Sequence, residues 1–189
     1  MPVYKRPVIS DYKTMKQLIL GGARSGKTAL AEQRAQAWHA GGEGRQVYYL
    51  ATANAGDGEM SARIKRHQDL RPEGWLTIEE PLDLAAVLAQ HNDPDTCLLV
   101  DCLTLWVTNL LMLEDDARMD AYMAAFEAAL TDCQAQVIMV SNEVGLGIVP
   151  MGELTRKFQD QAGFLHQRLG QVCERVTLTV AGLPMEFKA

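Results

Sequence analysis

Short apolar runs alternate with longer amphipathic segments along the chain. The runs are nearly continuous in apolar residues and rich in β-branched or aromatic side chains, a pattern typical of strands buried in a parallel sheet. They cover residues 17–20, 46–52, 96–101, 136–141 and 176–181. Helical periodicity marks the segments between them, at 27–40, 59–70, 82–90, 119–133 and 153–172. Residues 102–113 fit a buried strand or a buried helix, and their length favours a helix.

This alternation predicts an α/β fold, with a mainly parallel twisted sheet flanked by helices. The chain has 189 residues, enough for one ordinary domain and too few for two. We therefore expect a single domain over residues 17–189. Residues 1–16 precede the first predicted strand and are expected to form an N-terminal extension.

Charge and hydropathy exclude several classes of protein. Eighteen Lys and Arg residues stand against 24 Asp and Glu residues, and the net charge of −6 disfavours a nucleic-acid partner. The longest apolar stretch, 97–113, is interrupted by Asp101 and Asn109 and is too short for a membrane span. Residues 1–16 contain no apolar leader segment. We expect a cytoplasmic protein with no nucleic-acid partner and no membrane span.

The cysteines give no sign of a metal site or of a disulfide scaffold. None of the four lies in a C-x-x-C pair, and no histidine stands at zinc-finger spacing from any of them. Three occur in apolar or helical stretches and are interpreted as small core residues: Cys97, Cys133 and Cys173. Cys102 follows an acidic residue at the end of a strand, where packing is again the simpler interpretation.

Residues 21–28 read GGARSGKT and satisfy the pattern G-x-x-x-x-G-K-[ST]. Gly21 and Gly26 allow backbone conformations in which successive N–H groups turn inward around a phosphate. Lys27 supplies a positive charge to the β- and γ-phosphates, and the Thr28 hydroxyl is the expected Mg²⁺ ligand. An apolar strand precedes the pattern and an amphipathic helix follows it, so the sequence predicts a P-loop NTPase fold rather than a plain glycine-rich turn.

A carboxylate should end a strand next to this loop, because P-loop enzymes use one to hold the magnesium shell. Asp101 meets this requirement, since it follows the apolar residues 98–100. Capping of the next helix is the alternative role for this side chain. The Asn-Lys-x-Asp motif of guanine-specific switch GTPases is absent. A small-molecule kinase is the resulting interpretation.

A histidine within a basic segment adds a second candidate chemistry. His67 stands in EMSARIKRHQDLR, residues 59–71, which carries several Lys and Arg side chains. The cationic neighbours disfavour imidazolium and keep His67 neutral and nucleophilic near pH 7. Helical spacing alone favours a packed core histidine, because His67 follows Met60 and Ile64 along one face. The other three histidines, His39, His91 and His166, are interpreted as bystanders.

Five blocks in order resemble the bifunctional cobinamide kinase/cobinamide-phosphate guanylyltransferase family of adenosylcobalamin biosynthesis. They are GGARSGKT, YLATA at 49–53, EMSARIKRHQDLRPEGWLTIEE at 59–80, LLVDCLTLWVTNLL at 98–111 and SNEVGLGIVP at 141–150. The resemblance implies phosphorylation of adenosylcobinamide by ATP or GTP with Mg²⁺. It further implies transfer of GMP from GTP to the resulting phosphate through a guanylyl-histidine at His67, which gives adenosylcobinamide-GDP.

The same resemblance implies a set of site residues. Lys27 and His67 are the implied catalytic residues, and Thr28 and Asp101 the implied metal ligands. The implied nucleotide-binding residues are Gly21, Gly22, Ala23, Arg24, Ser25, Gly26, Lys27, Thr28, Ala51, Thr52, Ala53, Gln68, Asp69, Leu70, Arg71, Glu79 and Asp101. Glu79 is equally well explained as a solvated carboxylate beside Glu80. Asn142 and Glu143 are expected to border the phosphates, where they could position the acceptor or form a plain turn.

Two other hypotheses remain open at this stage. One is a kinase with no covalent step, in which His67 is only packed. The other is a nucleotide-gated interaction protein without small-molecule turnover. The resemblance implies a homo-oligomer, specifically a trimer, and a corrinoid substrate whose binding residues leave no short motif.

Overall fold

A seven-stranded sheet organises residues 14–53 and 74–189, the part of the chain that the computed structural model describes. The strands are β1 (Lys16–Gly21), β2 (Gln46–Ala51), β3 (Leu76–Glu79), β4 (Thr96–Asp101), β5 (Gln136–Asn142), β6 (Arg175–Val180) and β7 (Leu183–Lys188). The helices are α1 (Lys27–His39), α2 (Leu84–Gln90), α3 (Leu103–Leu111), α4 (Asp116–Asp132) and α5 (Glu153–Val172). The strand order is β3-β2-β4-β5-β1-β6-β7, and only the β6–β7 pair is antiparallel.

This architecture confirms the predicted α/β fold with a mainly parallel sheet. All five predicted strands form, each within one residue of its expected ends, and the ambiguous segment 102–113 contains the helix α3. Two further strands, β3 and β7, were not predicted. The predicted helix at 59–70 and residues 1–13 of the expected N-terminal extension lie outside the described residues.

Both faces of the central strands are buried, because successive side chains point to opposite sides of the sheet. Leu18 and Leu98 belong to one apolar cluster, which is completed by α2 to α5 and contains the fully buried Trp106. Ile19 and Leu99 belong to a second cluster, which is completed by α1 through residues such as Ala35. This burial explains why the sequence shows nearly continuous apolar runs at these strands rather than alternation.

Cysteine burial agrees with the sequence interpretation. Cys97, Cys133 and Cys173 are buried, and all four cysteines are free thiols. Burial raises the pKa of the Cys173 thiol to about 12. Burial also raises the pKa of Cys102, and the neighbouring Asp101 adds to that shift. These thiols are therefore protonated packing residues rather than nucleophiles. Within the described ranges, no helix has the length and apolarity required to cross a bilayer.

Side-chain caps set where two of the helices begin. The Asp83 side chain accepts a hydrogen bond from Ala86 N, so α2 begins at Leu84 rather than at the predicted residue 82. The Asp115 side chain accepts one from Arg118 N, so α4 begins at Asp116, three residues before the predicted start. Hydrophobic periodicity missed this first turn of α4 because the turn is polar.

Arg34 on α1 fastens the C-terminal hairpin to the rest of the sheet. Its guanidinium donates to Gln17 Oε1 on β1 (3.0 Å) and to Thr177 Oγ1 on β6 (2.9 Å). It also pairs with Glu186 on β7, with 2.6 Å between Nη2 and Oε1. Only 13% of the Arg34 side chain is exposed. Partners on three strands therefore meet at one buried cation.

We expect Arg34→Ala to lower the free energy of unfolding by about 2–3 kcal/mol, because it leaves Glu186 and two buried polar groups without their shared donor. Urea unfolding measures this loss. Arg118→Ala, at an exposed position on α4, is the matched control and should change stability by less than about 0.5 kcal/mol. Equal effects of the two substitutions would contradict the assigned role of Arg34.

Candidate nucleotide-binding site

The carboxyl ends of five parallel strands meet along one edge of the sheet. In spatial order this edge presents Glu79 of β3, Ala51 of β2, Asp101 of β4, Asn142 of β5 and Gly21 of β1. The strand register aligns Ala51 with both Glu79 and Asp101, and it aligns Gly21 with Asn142. Ligands of open parallel sheets bind outside such an edge. The predicted site residues that the structure describes therefore share one edge.

The loop between β1 and α1 has the conformation that a phosphate cradle requires. Gly26 has φ of 95°, in the left-handed region that glycine tolerates, and Arg24 has φ of 57°. Helix α1 begins directly after this loop with no side-chain cap and no acidic residue in its first turn. Its N-terminal N–H groups and positive dipole are thus available to an anion. Lys27 Nζ donates to Gly22 O at 3.1 Å and so lies folded over the loop.

Two glycines of the loop are required by close packing against the C-terminal hairpin. A Cβ on Gly21 would stand 2.6 Å from Thr179 O on β6. A Cβ on Gly26 would stand 3.1 Å from Gly182 Cα, in the turn between β6 and β7. Gly182 N also donates to Ser25 O at 2.8 Å. The β6–β7 turn therefore packs directly against the backbone of the phosphate loop.

Asp101 faces the start of α1 rather than capping the next helix. Thr28 Oγ1 lies 3.5 Å from Asp101 Oδ2. The same carboxylate oxygen accepts a hydrogen bond from the hydroxyl of Tyr49, a buried residue of β2. Helix α3 instead has Cys102 at its N-cap and no side-chain capping bond. The capping alternative for Asp101 is thus wrong, and Tyr49 fixes the direction in which the carboxylate points.

The turn at residues 51–53 is tied to the end of β4. Thr52 Oγ1 accepts from Cys102 N (2.9 Å) and donates to Cys102 O (2.7 Å). Asn109 on α3 donates from Nδ2 to Thr52 O at 2.7 Å. Asn109, which interrupts the apolar stretch 97–113 in the sequence, is therefore the side chain that anchors this turn.

The two acidic residues at the end of β3 have different environments. Glu80 Oε1 accepts from the backbone N–H groups of Leu82 and Asp83, at 2.9 and 2.8 Å, and so shapes the turn into α2. Glu79 is exposed at the strand end and is aligned with Ala51. The structure places Glu79 on the same edge as the phosphate loop, with three strands between β3 and β1.

A histidine that the sequence reasoning dismissed lies near this edge. His166 on α5 places Nε2 2.8 Å from Ser141 Oγ, and its Nδ1 lies 3.8 Å from Glu143 Oε2. Ser141 Oγ is also 3.4 Å from Thr104 Oγ1 on α3. Burial lowers the pKa of His166, and the Glu143 carboxylate opposes that shift. No local motif marks His166, because only the packing of α5 in the folded chain brings its ring to Ser141 on β5.

Five predicted site residues lie outside the described ranges. They are His67, Gln68, Asp69, Leu70 and Arg71. The segment that carries them follows Ala53, the last described residue after β2. Their proposed roles therefore stay predictions. Within residues 14–53 and 74–189, no group of three or more His, Cys, Asp or Glu side chains is arranged to hold a metal ion by itself.

The fold and the edge together define the chain as a P-loop nucleotide-binding protein. Of the solved structures, the flagellar accessory protein FlaH from Methanocaldococcus jannaschii superimposes with a TM-score of 0.51 and 14% identity. The superposition covers 92% of this chain and 78% of FlaH. At that identity the likeness supports the fold alone.

Comparison of sequences then shows the family. The family described as cobinamide kinase / cobinamide phosphate guanyltransferase matches residues 17–187, and the chain belongs to it. The bifunctional adenosylcobalamin biosynthesis protein CobP of Pseudomonas aeruginosa is 54% identical, over 92% of this chain and 98% of its own length. CobU of Salmonella typhimurium, which bears the same description, is 40% identical over 92% of this chain and 100% of its own. The resemblance deduced from the five sequence blocks is confirmed, and with it the expectation of an enzyme, a transferase with kinase and guanylyltransferase activities.

We expect Gly26→Ala to weaken nucleoside triphosphate binding at least about tenfold, because it strains a backbone with positive φ and presses on the hairpin turn. Isothermal titration with a non-hydrolysable triphosphate measures the affinity. Gly163→Ala on α5 is the control, since an added Cβ there meets nothing within 4 Å. Unchanged affinity in Gly26→Ala would contradict the assigned loop geometry.

Proposed function

We propose that the chain catalyses two successive reactions on a corrinoid. It phosphorylates adenosylcobinamide with ATP or GTP, and it then transfers GMP from GTP to adenosylcobinamide phosphate through a guanylyl group on His67. The products of the second reaction are adenosylcobinamide-GDP and pyrophosphate. The observation that carries the proposal is the phosphate loop facing Asp101 on one sheet edge, in a chain of this family.

The first reaction needs positioning and charge neutralisation more than covalent chemistry. The substrate hydroxyl oxygen attacks the γ-phosphorus, the bond to the nucleoside diphosphate breaks, and the hydroxyl proton leaves to a base. Lys27 and the N–H groups at the start of α1 would bind the phosphates and offset the negative charge that spreads over them. Lys27 lies over the loop, as this role requires.

The second reaction uses a nucleophile of the enzyme. A neutral imidazole nitrogen of His67 would attack the α-phosphorus of GTP and release pyrophosphate, leaving a phosphoramidate. A phosphate oxygen of adenosylcobinamide phosphate would then attack the same phosphorus and free the histidine. The basic neighbours of His67 favour its neutral form. The chain runs from Ala53 at the site edge into the segment that carries His67, which favours its action at this edge.

The oxygen atoms of Thr28 and Asp101 fit a magnesium ion. Mg²⁺ prefers octahedral oxygen ligands at about 2.1 Å, so neighbouring ligands stand about 3 Å apart. Thr28 Oγ1 and Asp101 Oδ2, 3.5 Å apart, are oxygen atoms of the kind that Mg²⁺ takes, so these two residues would hold the ion. When bound, the ion would neutralise phosphate charge. Tyr49 keeps the Asp101 carboxylate turned toward this position.

Further nucleotide contacts are part of the proposal. The turn formed by Ala51, Thr52 and Ala53 is rigidly held at the site edge and would contact nucleotide. Glu79 is exposed beside this turn. The stretch Gln68, Asp69, Leu70 and Arg71 would bind the guanylate next to His67. These assignments rest on the family resemblance together with the placement of the described residues.

A homotrimer and a cytoplasmic location complete the proposal. Exposed large apolar side chains, among them Leu183, Met185 and Phe187 of β7, are surfaces that an oligomer would cover. Four free cysteines and the use of ATP or GTP agree with the cytoplasm. Light scattering after size-exclusion chromatography tests the trimer.

We expect Lys27→Ala to reduce kcat for cobinamide phosphorylation by about a hundredfold or more, because it removes charge that stabilises the transferring phosphoryl group. A coupled assay for ADP or GDP release measures this. The control is Lys157→Ala, which removes an exposed lysine of α5 that pairs with Asp116 on α4. This variant should retain wild-type kcat. A near wild-type rate in Lys27→Ala would contradict its role.

Incubation with α-³²P-labelled GTP should leave label on the protein that is acid-labile and base-stable, as a phosphoramidate is. His67→Ala should lose this label, whereas His91→Ala should keep it because His91 packs on Tyr48 away from the sheet edge. Absence of label on the wild type would favour a kinase without a covalent step. Absence of cobinamide phosphorylation as well would leave a nucleotide-gated interaction protein.

A further inference from the structure

A line of polar side chains runs behind Glu143 and joins three elements of the fold. Asn142 N donates to Thr104 Oγ1 on α3 at 2.7 Å. Thr104 Oγ1 is 3.4 Å from Ser141 Oγ on β5, and Ser141 Oγ is 2.8 Å from His166 Nε2 on α5. The other ring nitrogen of His166 faces the Glu143 carboxylate at 3.8 Å. We call Thr104, Ser141 and His166 the support chain of Glu143.

The support chain lies in the interior, where an unsatisfied polar group is costly. Ser141 is 1% exposed, and the His166 side chain is 9% exposed. Because burial lowers the pKa of His166, its ring is neutral near pH 7 and carries one proton. In the tautomer whose Nε2 accepts from the Ser141 hydroxyl, that proton lies on Nδ1, the nitrogen that faces Glu143 Oε2 at 3.8 Å. We assign the ring this tautomer because it turns an N–H rather than a lone pair toward the carboxylate.

Glu143 itself stands beside the entry to the phosphate loop. Its backbone N donates to Gly21 O at 3.1 Å, directly after the register pair of Gly21 and Asn142. Its Oε1 accepts a hydrogen bond from Gly145 N at 2.5 Å, while Oε2 faces His166. A hydrogen bond thus holds Oε1, the His166 ring stands 3.8 Å from Oε2, and 22% of the side chain is open to solvent at the site edge.

We propose that His166 is a positioning residue that holds the Glu143 carboxylate where it accepts the proton of the substrate hydroxyl in the phosphorylation step. This inference rests on the proposed kinase activity. As the hydroxyl oxygen bonds to the γ-phosphorus and the nucleoside diphosphate departs, the hydroxyl proton passes to Glu143, which later releases it to water. His166 acts only through Glu143 and exchanges no atom with the substrate.

The two ring nitrogens of His166 face different partners, Ser141 and Glu143, so two amide variants can test them separately. His166→Asn places an amide near Nδ1 and retains a donor toward Glu143, whereas His166→Gln places its amide near Nε2 and retains only the contact with Ser141. His166→Leu retains neither. We expect kcat for cobinamide phosphorylation to fall about tenfold or more in the Leu and Gln variants and to recover to within about threefold in the Asn variant. KM for ATP should stay within about twofold throughout.

A double-mutant cycle tests whether His166 acts through Glu143. Glu143→Gln should lower kcat about a hundredfold, since it removes the proton acceptor. In that background His166→Leu should cause no further loss. His91→Asn is the matched control for loss of an imidazole outside the support chain and should retain wild-type kcat. Thermal unfolding of each variant identifies any that fail to fold. If His166→Leu is one of them, the comparison of His166→Asn with His166→Gln tests whether His166 positions Glu143.

Three outcomes overturn the inference. The first is wild-type kcat in His166→Leu, and the second is equal activity of the Asn and Gln variants. The third is a multiplicative loss when His166→Leu is added to Glu143→Gln, which would show that the histidine acts elsewhere. A wild-type protein that does not phosphorylate cobinamide would instead refute the proposed kinase activity itself, so the two failures are distinguishable.

Discussion

The contact between the phosphate loop and the β6–β7 turn constrains the whole carboxyl edge. Gly182 N donates to Ser25 O, and a Cβ on Gly26, which has a positive φ, would stand only 3.1 Å from Gly182 Cα. The loop is therefore held against the turn by backbone contacts rather than by flexible side chains. A cradle of N–H groups must be preorganised to bind an anion without reordering. The hairpin supplies that rigidity, and Arg34 in turn holds the hairpin.

Three polar groups at the edge each meet a polar side chain from another element. Tyr49 holds Asp101, Asn109 holds the turn at Thr52, and His166 faces Glu143. The partners come from different elements, a neighbouring strand or a covering helix. Buried polar groups are stable only when they are hydrogen-bonded, so these pairs order the site and satisfy the interior together.

Sequence patterns predicted the elements whose burial is nearly complete. The central strands and α5 were found with their ends, because apolar runs and 3.6-residue periodicity report burial directly. Strand β3 was not predicted because its four residues are mostly exposed. Strand β7 was not predicted because all six of its residues are exposed and Pro184 interrupts the pattern. Edge strands are paired by backbone hydrogen bonds, which leave little trace in side-chain hydropathy.

Site residues, too, were predicted where a local sequence pattern marks them and missed where only the folded chain brings partners together. The loop at 21–28 and Asp101 were predicted because a contiguous motif or a strand end marks them. His166 and Tyr49 had no such mark, since their partners are 23 and 52 positions away in sequence. Proximity of this kind follows from sheet order and helix packing, which one sequence does not reveal.

The position of β1 between β5 and β6 has a consequence for how the protein is made. The strand that leads into the phosphate loop precedes both of its neighbours in the sheet by a long stretch of sequence that contains β2, β3 and β4. Pairings of such long sequence separation form late, because the intervening chain must first be closed into a loop. A chain that ends before β6 therefore lacks one of the two strands that flank the start of the phosphate loop. The nucleotide cradle takes its folded form only once β5 and β6 have paired with β1.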